Sequence, residues 1–220
     1  MRSLIIGGTS GLGLEIAKQL LEKGDEVIIT GRKDPGVHGL EFHTFDLDLG
    51  PDLPRAVEEF VVALPHIDRI VYSAGFYQEG NVTELQDQDI KNMLDVGINA
   101  PIWFFRELLQ QQGEIAEAVA ITSSSQYKPR EKEVIYTATK AALGHFANSL
   151  SLDPRVQKVL VAAPEGMATP FWRATGHDTK DYNDPVWVAK EIVNALDVDF
   201  EYAFVKILRN PPRTELVESR

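Results

Sequence analysis

Short apolar runs alternate with amphipathic stretches along nearly the whole chain, and this alternation limits the fold more than any other feature. Residues 27–29 and 159–163 are apolar throughout, as expected of strands that are buried on both faces. Between such runs, apolar residues recur at helical spacing, for example Leu12, Ile16 and Leu20. Strands that alternate with helices form a parallel sheet with helices on both sides. We therefore predict an α/β fold, a doubly wound, Rossmann-like three-layer sandwich with about seven strands.

The alternation continues from residue 4 to residue 208 without a linker, an internal repeat or a low-complexity segment. A chain of 220 residues buries a sizeable core without disulfides or a structural metal. We therefore predict one Rossmann-like domain over residues 1–208. The last residues, 209–220, include Pro211 and Pro212 and are predicted to form a loosely held C-terminal tail.

The charge balance argues against several kinds of partner. The chain has 22 basic and 33 acidic side chains, a formal net charge of -11. Such a surface repels nucleic-acid backbones and anionic lipids, so we expect neither nucleic acid nor membrane as a partner. There is no cysteine and the five histidines show no ligand spacing, so we predict no metal site. Because no apolar run approaches the roughly 20 residues of a membrane span and no signal-sequence pattern is present, we expect a cytoplasmic protein.

A glycine-rich segment joins the first apolar run to the first amphipathic stretch. Its glycines allow the backbone to turn tightly, to approach a pyrophosphate and to pack the following helix on the sheet. The helix N-terminus then directs N–H groups at the phosphates. Alone, the pattern is also compatible with a glycine-rich turn that binds nothing, but after the first strand of an α/β chain it favours a dinucleotide. The segment reads Gly7-Gly8-Thr9-Ser10-Gly11-Leu12-Gly13.

The end of the second predicted strand indicates which dinucleotide is bound. An acidic side chain there would accept hydrogen bonds from a ribose 2′-hydroxyl, but the chain has Arg32, followed by Lys33. A planar guanidinium suits a 2′-phosphate, so Arg32 favours NADP over NAD. The alternative is a solvated surface arginine.

A tyrosine and a lysine one helical turn apart are candidates for the chemistry. Tyr136 and Lys140 stand at i and i+4 of a predicted helix and share a face. The ammonium would lower the pKa of Tyr136, which could then give a proton to a carbonyl oxygen or take one from an alcohol. Ser123 follows the fifth predicted strand, where parallel sheets place ligands, and could hydrogen-bond the substrate oxygen. The alternatives are an interfacial tyrosine, a lysine with a buried stem and a polar strand cap.

The glycine segment, Ser123 and Tyr136-x-x-x-Lys140 together resemble the compact, single-domain short-chain dehydrogenase/reductase family, over residues 4 to about 208. The resemblance implies an NADP(H)-dependent oxidoreductase that transfers a hydride between nicotinamide and a small carbonyl or alcohol substrate. It implies that Tyr136 is the acid/base, Ser123 the catalytic serine and Lys140 the lysine that binds the nicotinamide ribose. It also implies a homodimer or homotetramer, paired through the helices near residues 101–112 and 136–151.

The same resemblance implies where the rest of the cofactor lies. Asp46 and Leu47 resemble the pair that frames the adenine, and Pro164 and Thr169 resemble the segment that packs on the nicotinamide. The full cofactor-binding set is then Gly7, Thr9, Ser10, Gly11, Leu12, Gly13, Arg32, Asp46, Leu47, Ser73, Ala74, Gly75, Tyr136, Lys140, Pro164 and Thr169.

Three positions depart from the pattern that the resemblance implies. Ser73 replaces the asparagine that begins the usual Asn-Ala-Gly turn, and Glu165 replaces the glycine of a Pro-Gly pair. Gly97 replaces an asparagine that holds a proton-relay water, and Asn99 lies two residues further on. We therefore expect a triad with an altered relay, and we expect Gly97→Asn to keep the fold and to raise turnover or leave it unchanged. The departures keep open a non-catalytic dinucleotide-binding sensor or scaffold as the alternative.

The substrate side is poorly specified by the sequence. Aromatic residues near the ends of the motif strands are candidates for an apolar pocket or for ordinary core and interface positions. Three cations are candidates for binding an anionic substrate or for solvated loop positions. The aromatic residues are Phe76, Tyr77, Tyr127, Phe171 and Trp172, and the cations are Lys128, Arg130 and Arg173.

Overall fold

The computed structural model describes residues 1–172 and 175–220 and has one central sheet. In chain order its strands are β1 (Arg2–Ile6), β2 (Glu26–Gly31), β3 (Leu40–Thr44), β4 (Arg69–Tyr72), β5 (Ile115–Ile121), β6 (Val156–Pro164), β7 (Tyr202–Arg209) and β8 (Pro212–Ser219). They lie in the order β3-β2-β1-β4-β5-β6-β7-β8. The strands from β1 to β7 pair in parallel, and β8 runs antiparallel to β7. The predicted α/β fold is confirmed, with one strand more than expected.

Helices cover both faces of the sheet. Over the described residues they are α1 (Gly11–Glu22), α2 (Leu53–Val62), α3 (Asp87–Leu94), α4 (Ala100–Gln112), α5 (Val134–Leu150) and α6 (Pro185–Ala195). Ile16 of α1 and Ile192 of α6 are buried in one apolar cluster. Val57 of α2, Phe104 of α4 and Leu143 of α5 are buried in a second, on the opposite face. Each helix buries the apolar stripe that its spacing predicts, which produces three layers. No helix in the described ranges is long and apolar enough to cross a membrane.

The C-terminal residues differ from the prediction. Most of the segment predicted as a loose tail, residues 209–220, forms β8 at the edge of the sheet. The backbone N–H groups of Glu201 and Tyr202 donate to the Arg220 carbonyl at 2.8 and 3.1 Å. The Arg220 guanidinium donates to Asn148 Oδ1 at 2.7 Å. Nearly every β8 side chain is exposed, so backbone hydrogen bonds hold a strand that no apolar run marks in the sequence.

The strand order reverses between β1 and β4, and this reversal positions the site. From β1 the chain builds β2 and β3 on one side, whereas β4 to β7 extend on the other. The loops that follow two such strands diverge and leave a crevice outside their carboxyl ends. Gly7 follows β1, Ser73 follows β4 and Ser123 comes shortly after β5, so three of the predicted motifs open toward this crevice.

Candidate active site

The glycine-rich loop packs tightly against the turn that follows β4. Gly7 has φ +83°, and a Cβ on it would lie 2.7 Å from the backbone of Ala74. A Cβ on Gly13 would lie 2.3 Å from the Gly7 carbonyl oxygen, so only glycine lets α1 approach the loop this closely. Ser10 precedes α1 without making a side-chain cap, which leaves the first N–H groups of the helix available to a phosphate. This loop fits a dinucleotide pyrophosphate.

The turn after β4 faces the glycine-rich loop. The Ser73 N–H donates to the Ile6 carbonyl at 2.9 Å, which continues the pairing of β1 with β4. Its hydroxyl oxygen lies 3.1 Å from where a Cβ on Gly13 would be. Gly75, at the end of the turn, is exposed to the crevice. Ser73 thus takes the position of the usual asparagine with a shorter polar side chain.

The residues predicted to bind the adenosine half lie at the carboxyl ends of β2 and β3. Arg32 follows β2 directly and is exposed, and its guanidinium makes no hydrogen bond or ion pair with any described residue. A Cβ on Gly31 would lie 2.3 Å from Thr9 Oγ1, so the Thr9 side chain covers the end of β2. Asp46 is exposed beyond β3, and Leu47 packs on the core. The guanidinium of Arg32 is therefore accessible to a ligand bound at the ends of β2 and β3.

The segment after β6 reaches across to the glycine-rich loop. Pro164 is the buried last residue of β6, and the Thr169 N–H donates to the Met167 carbonyl at 2.8 Å. Thr169 Cβ lies 3.4 Å from where a Cβ on Gly11 would be. The two segments predicted to hold opposite ends of the nicotinamide nucleotide therefore face each other across the crevice.

Ser123, Tyr136 and Lys140 converge beside this crevice. Tyr136 and Lys140 are both buried on the same face of α5. Lys140 Nζ lies 5.7 Å from the centre of the Tyr136 ring and donates to the Ile121 carbonyl at 3.1 Å. The Ser123 side chain lies close enough to the Tyr136 hydroxyl to lower its pKa. The three residues singled out from the sequence are brought together by the fold.

Burial shifts the pKa values of both α5 residues. Burial lowers the pKa of Lys140 to about 8, so its ammonium loses its proton at a lower pH than a solvated lysine does. Burial raises the pKa of Tyr136 above its ordinary value, and the Glu133 carboxylate adds to this effect. The sequence-based expectation was the opposite, a Tyr136 pKa lowered by Lys140. It is wrong because the ammonium points at the Ile121 carbonyl and burial among aromatic rings disfavours the phenolate.

Three aromatic residues, Tyr77, Phe171 and Trp172, enclose the Tyr136 ring, and we call them the aromatic cap. Tyr77 packs edge-on against Tyr136 with ring centres 5.1 Å apart, and Phe171 lies 6.0 Å from it. Trp172 contacts both Tyr77 and Phe171, at 5.5 and 5.2 Å. A cavity of about 310 Å³ adjoins the Tyr77 side of the cap and is lined by Tyr77, Gln78, Glu79, Gly80, Glu84, Lys132 and Thr175.

Of the other side chains considered for the substrate, Phe76 lies beside the aromatic cap, and the described ones among the rest are held in other contacts. Tyr127 packs against Phe204, 6.2 Å away, and Phe76 packs against both the core and the aromatic cap. Lys128 pairs with Glu165 at 2.6 Å, and Arg130 donates to Ser124 Oγ at 2.9 Å. Arg173 lies outside the described residues. In the parts of the chain that the structure describes, no group of three or more histidine, aspartate or glutamate side chains could hold a metal ion.

Glu165, which replaces the usual glycine, joins three segments at the carboxyl edge of the sheet. Its Oε1 accepts from Lys128 Nζ at 2.6 Å, and its Oε2 accepts from the Arg209 N–H at 2.8 Å. Lys128 belongs to the loop after β5, Glu165 follows β6, and Arg209 ends β7. The departure from glycine is therefore explained by a side chain that ties neighbouring strand ends together.

We expect Glu165→Gln to destabilise the protein by about 1 kcal/mol at neutral pH, because it weakens two hydrogen bonds, one to a half-exposed lysine. Burial alone would raise the pKa of Glu165, but the bonds from Lys128 and Arg209 lower it overall. A carboxyl whose pKa is lowered by folding stabilises the protein at pH above its unfolded pKa and loses this contribution as the pH falls through its folded pKa. Urea unfolding should thus separate the two proteins at neutral pH and not in strong acid. Glu59→Gln, which breaks a fully exposed pair with Arg55, should change neither value; a gap that persists in acid would contradict the assignment.

Gly97 lies where two helical segments are closest. It is buried within a π-helical turn, Asp95–Asn99, that leads into α4. A Cβ on Gly97 would lie 2.6 Å from Thr139 Cβ and 2.8 Å from Thr139 Oγ1. Asn99 is exposed and donates to Asp95 Oδ1 at 2.8 Å, pointing away from any relay. The space of the usual asparagine is filled by Thr139, so the geometry contradicts the expectation that Gly97→Asn keeps the fold.

Two polar residues beside Ser123 escaped the sequence reading. Ser125 Oγ donates to Glu133 Oε2 at 2.8 Å, and Ser123 Oγ donates to Ser125 Oγ at 3.3 Å. Ser125 belongs to the run of three serines after β5, of which the sequence singles out Ser123 for the substrate oxygen, with a polar strand cap as the alternative. Glu133 precedes Tyr136 by less than one helical turn, and only the fold shows that its side chain turns back to the serines.

Sequence comparisons agree with this geometry. A family model described as short chain dehydrogenase matches residues 2–180. Uncharacterized oxidoreductase YohF of Escherichia coli (strain K12) is 28% identical over 200 residues, which cover 83% of this chain and 79% of that protein. Uncharacterized oxidoreductase DltE of Bacillus subtilis (strain 168) is 32% identical over 176 residues, 73% of this chain and 69% of that protein. Glucose 1-dehydrogenase of Gluconobacter oxydans (strain 621H) is 25% identical over 196 residues, which cover 81% of this chain and 74% of that protein.

Solved structures share the fold. The closed form of serine dehydrogenase complexed with NADP⁺ matches with a TM-score of 0.79 at 21% identity, covering 93% of this chain and 94% of that chain. A short-chain dehydrogenase from Sphingobium yanoikuyae in complex with NADPH matches with a TM-score of 0.77 at 21% identity, covering 89% and 84%. An alcohol dehydrogenase from the archaeon Thermococcus sibiricus, complexed with 5-hydroxy-NADP, matches with a TM-score of 0.81 at 19% identity, covering 97% and 98%.

Proposed function

The chain belongs to the short-chain dehydrogenase family, and on this basis we propose that it is an NADP(H)-dependent oxidoreductase acting on a small carbonyl or alcohol substrate. The observation that carries the proposal is the convergence of Ser123, Tyr136 and Lys140 at the crevice that the glycine-rich loop closes. A protein that only binds a dinucleotide has no use for a buried acid/base pair at that place. The intact triad therefore supports turnover over a sensor or scaffold.

The residues present fit the cofactor. Gly7 and Gly13 leave a cradle that side chains would fill, and the start of α1 offers uncapped N–H groups to a pyrophosphate. Arg32 supports NADP over NAD, because an exposed guanidinium follows β2 at the position where an acidic side chain would favour NAD. The solved structures named above include complexes with NADP⁺ and NADPH, which agrees with this choice.

We expect Arg32→Ala to weaken NADPH binding about tenfold, the effect of losing a charge-assisted pair with the 2′-phosphate. Binding of NADH should stay nearly unchanged, since NADH lacks that phosphate. Calorimetric titration of both nucleotides against both proteins measures this, with NADH as the internal control. Equal affinities of the wild type for NADPH and NADH would reject the assignment of Arg32.

In the proposed mechanism, bound NADP(H) supplies or accepts the hydride. Tyr136 Oη gives its proton to the substrate oxygen during reduction and takes it back during oxidation. The Ser123 hydroxyl, within reach of Tyr136, binds the same oxygen and fixes its position. Lys140, whose pKa is lowered to about 8 by burial, can hold or release a proton near neutral pH next to Tyr136. The aromatic cap keeps water from the phenol.

Oxidation of NADPH by the purified protein, measured against a panel of aldehydes, ketones and quinones, tests the proposal. We expect turnover with at least one class, because burial raises the pKa of Tyr136 and keeps its phenol protonated and able to act as an acid. NADPH binding without turnover on any of these compounds would instead favour the sensor or scaffold.

We also propose that the protein forms a homodimer or homotetramer through α4 and α5. Ile102 of α4 and Val134 of α5 are exposed apolar side chains, and Ala138, Ala141 and Ala142 leave the outer face of α5 flat. A flat helix face allows close approach of its symmetry mate. Light scattering at micromolar concentration should give a multiple of the 24.5 kDa chain mass, and a monomer mass would contradict the proposal.

A further inference from the structure

Glu133 occupies the position that precedes α5 but does not cap the helix. Short polar side chains at such a place accept a hydrogen bond from an N–H group of the first turn, and a glutamate can also reach one. Glu133 makes no such bond, and its carboxylate instead accepts from Ser125 Oγ at 2.8 Å. The carboxylate is therefore directed at the serines beside the proposed active site.

A chain of hydrogen bonds leads from Glu133 to Ser123. Ser123 Oγ donates to Ser125 Oγ at 3.3 Å and accepts from the Ser125 N–H at 3.1 Å. Ser125 is buried, with 6% of its surface exposed, so water does not compete freely for its hydroxyl. The two bonds to Ser125 thus fix the rotamer of Ser123.

The ionised carboxylate gives this chain one direction. A carboxylate can only accept hydrogen bonds, whereas each serine hydroxyl has one proton to donate. Because the Ser125 hydroxyl donates its hydrogen bond to Glu133, Ser125 can accept a hydrogen bond from Ser123 but cannot donate one to it. The Ser123 proton is therefore directed at Ser125, which leaves a lone pair of Ser123 to accept a hydrogen bond from Tyr136.

We propose that Glu133 is a positioning residue that acts through Ser125: it keeps the Ser123 proton turned away from Tyr136 and so holds Tyr136 in its protonated form. This inference rests on the proposed function, in which the protonated phenol is the form that reduces a carbonyl. A hydrogen bond donated by Ser123 would stabilise the phenolate, so withholding it opposes ionisation. The negative charge of Glu133 opposes ionisation in the same direction.

The other groups around Tyr136 leave this role to Glu133. Tyr77 faces the ring from the loop after β4, and Lys140 lies beside it on α5. The segment after β6 contributes Phe171 and Trp172, which carry no charge. Burial raises the pKa of Tyr136, and Glu133 and Tyr77 raise it further. The Ser123 side chain acts in the opposite direction, and the hydrogen bond from Ser123 to Ser125 reduces that opposing influence.

The test measures the protons released when NADP⁺ binds, by calorimetry in buffers of different ionisation heat over a series of pH values. This readout needs cofactor binding but no substrate. Ionisation of Tyr136 on binding gives a release step whose pH midpoint reports its pKa, and Tyr136→Phe should abolish that step. We expect Glu133→Gln to lower the midpoint by about one pH unit, a tenfold change in the ionisation equilibrium, because the amide can donate to Ser125 and reverse the chain.

Two further variants separate the effect of the hydrogen bonds through Ser125 from the effect of the Glu133 charge. Ser125→Ala should lower the midpoint in the same direction by a smaller amount, because it frees the Ser123 proton while the Glu133 charge remains. Glu131→Gln, which removes an exposed carboxylate two residues earlier, should leave the midpoint unchanged. Circular dichroism of each variant checks that the fold is intact.

Each contrary result has a distinct meaning. An unchanged midpoint in Glu133→Gln, or an equal shift in Glu131→Gln, would overturn the inference. A shift in Glu133→Gln with none in Ser125→Ala would overturn the part assigned to Ser125 and leave a bare charge effect. Failure of the wild type to bind NADP⁺ would overturn the proposed function together with this inference, whereas binding with identical midpoints would overturn the inference alone.

Discussion

Tyr136→Phe should lower turnover of a carbonyl substrate by about 10²- to 10⁴-fold, the usual contribution of a positioned general acid. The phenylalanine ring keeps the packing against Tyr77 and Phe171, at 5.1 and 6.0 Å, and removes only the hydroxyl. The glycine-rich loop and Arg32 lie on other elements, so the affinity for NADPH should stay nearly unchanged. Steady-state kinetics and calorimetric titration of the same preparations measure both quantities.

The matched control for this change is Tyr77→Phe. Tyr77 is buried like Tyr136 and packs edge-on against it, but the proposed mechanism assigns no proton transfer to its hydroxyl. Its loss should therefore leave most of the turnover in place. Wild-type turnover in Tyr136→Phe would exclude the acid/base role, and an equal loss in both variants would indicate that ring packing rather than proton transfer had been disturbed.

Gly97→Asn should destabilise the protein by about 3 kcal/mol, near the upper end of the usual cost of overpacking a core. The new Cβ would lie 2.6 Å from Thr139 Cβ, a distance that requires the π-helical turn and α5 to move apart. Thr139 Oγ1 donates to the Tyr136 carbonyl at 2.9 Å, and Lys140 is the next residue. We therefore expect turnover to fall together with stability, which chemical unfolding and kinetics would measure.

A double-mutant cycle with Gly97→Ala and Thr139→Gly tests the cause. The three atoms nearest to a Cβ on Gly97 all belong to the Thr139 side chain, so Thr139→Gly removes the closest contacts. Each single change should destabilise the protein, the second because glycine inside a helix costs about 1 kcal/mol relative to alanine. The double variant should be more stable than the sum of the two predicts. Strict additivity, or Gly97→Asn with wild-type stability, would show that the close approach at Thr139 is not what excludes a side chain.

Several parts of the site could be predicted because they depend on neighbours along the chain. Tyr136 and Lys140 share a face because the helix repeats every 3.6 residues, whatever packs around it. The glycine-rich loop was placed correctly between β1 and α1 because its neighbours, an apolar run and an amphipathic stretch, are themselves local patterns. What these residues experience was not predictable: the pKa of Tyr136 is raised rather than lowered, because the aromatic cap comes from two distant segments.

The sequence by itself determined the layered α/β architecture, since apolar runs must be buried on both faces and amphipathic helices on one. It also determined which elements carry the motifs: the glycine-rich loop follows β1, Ser123 follows β5, and Tyr136 and Lys140 lie on the next helix. Only the tertiary structure decided that β8 joins the sheet, because its exposed side chains carry no pattern and mainly backbone hydrogen bonds to β7 hold it. Likewise, the contacts of Glu133 with Ser125, Glu165 with Lys128 and Thr139 with the Gly97 turn join residues far apart or on opposing elements. Such contacts depend on the relative positions of separately packed elements to within a few tenths of an ångström. These positions are set by the whole core rather than by any local run of residues.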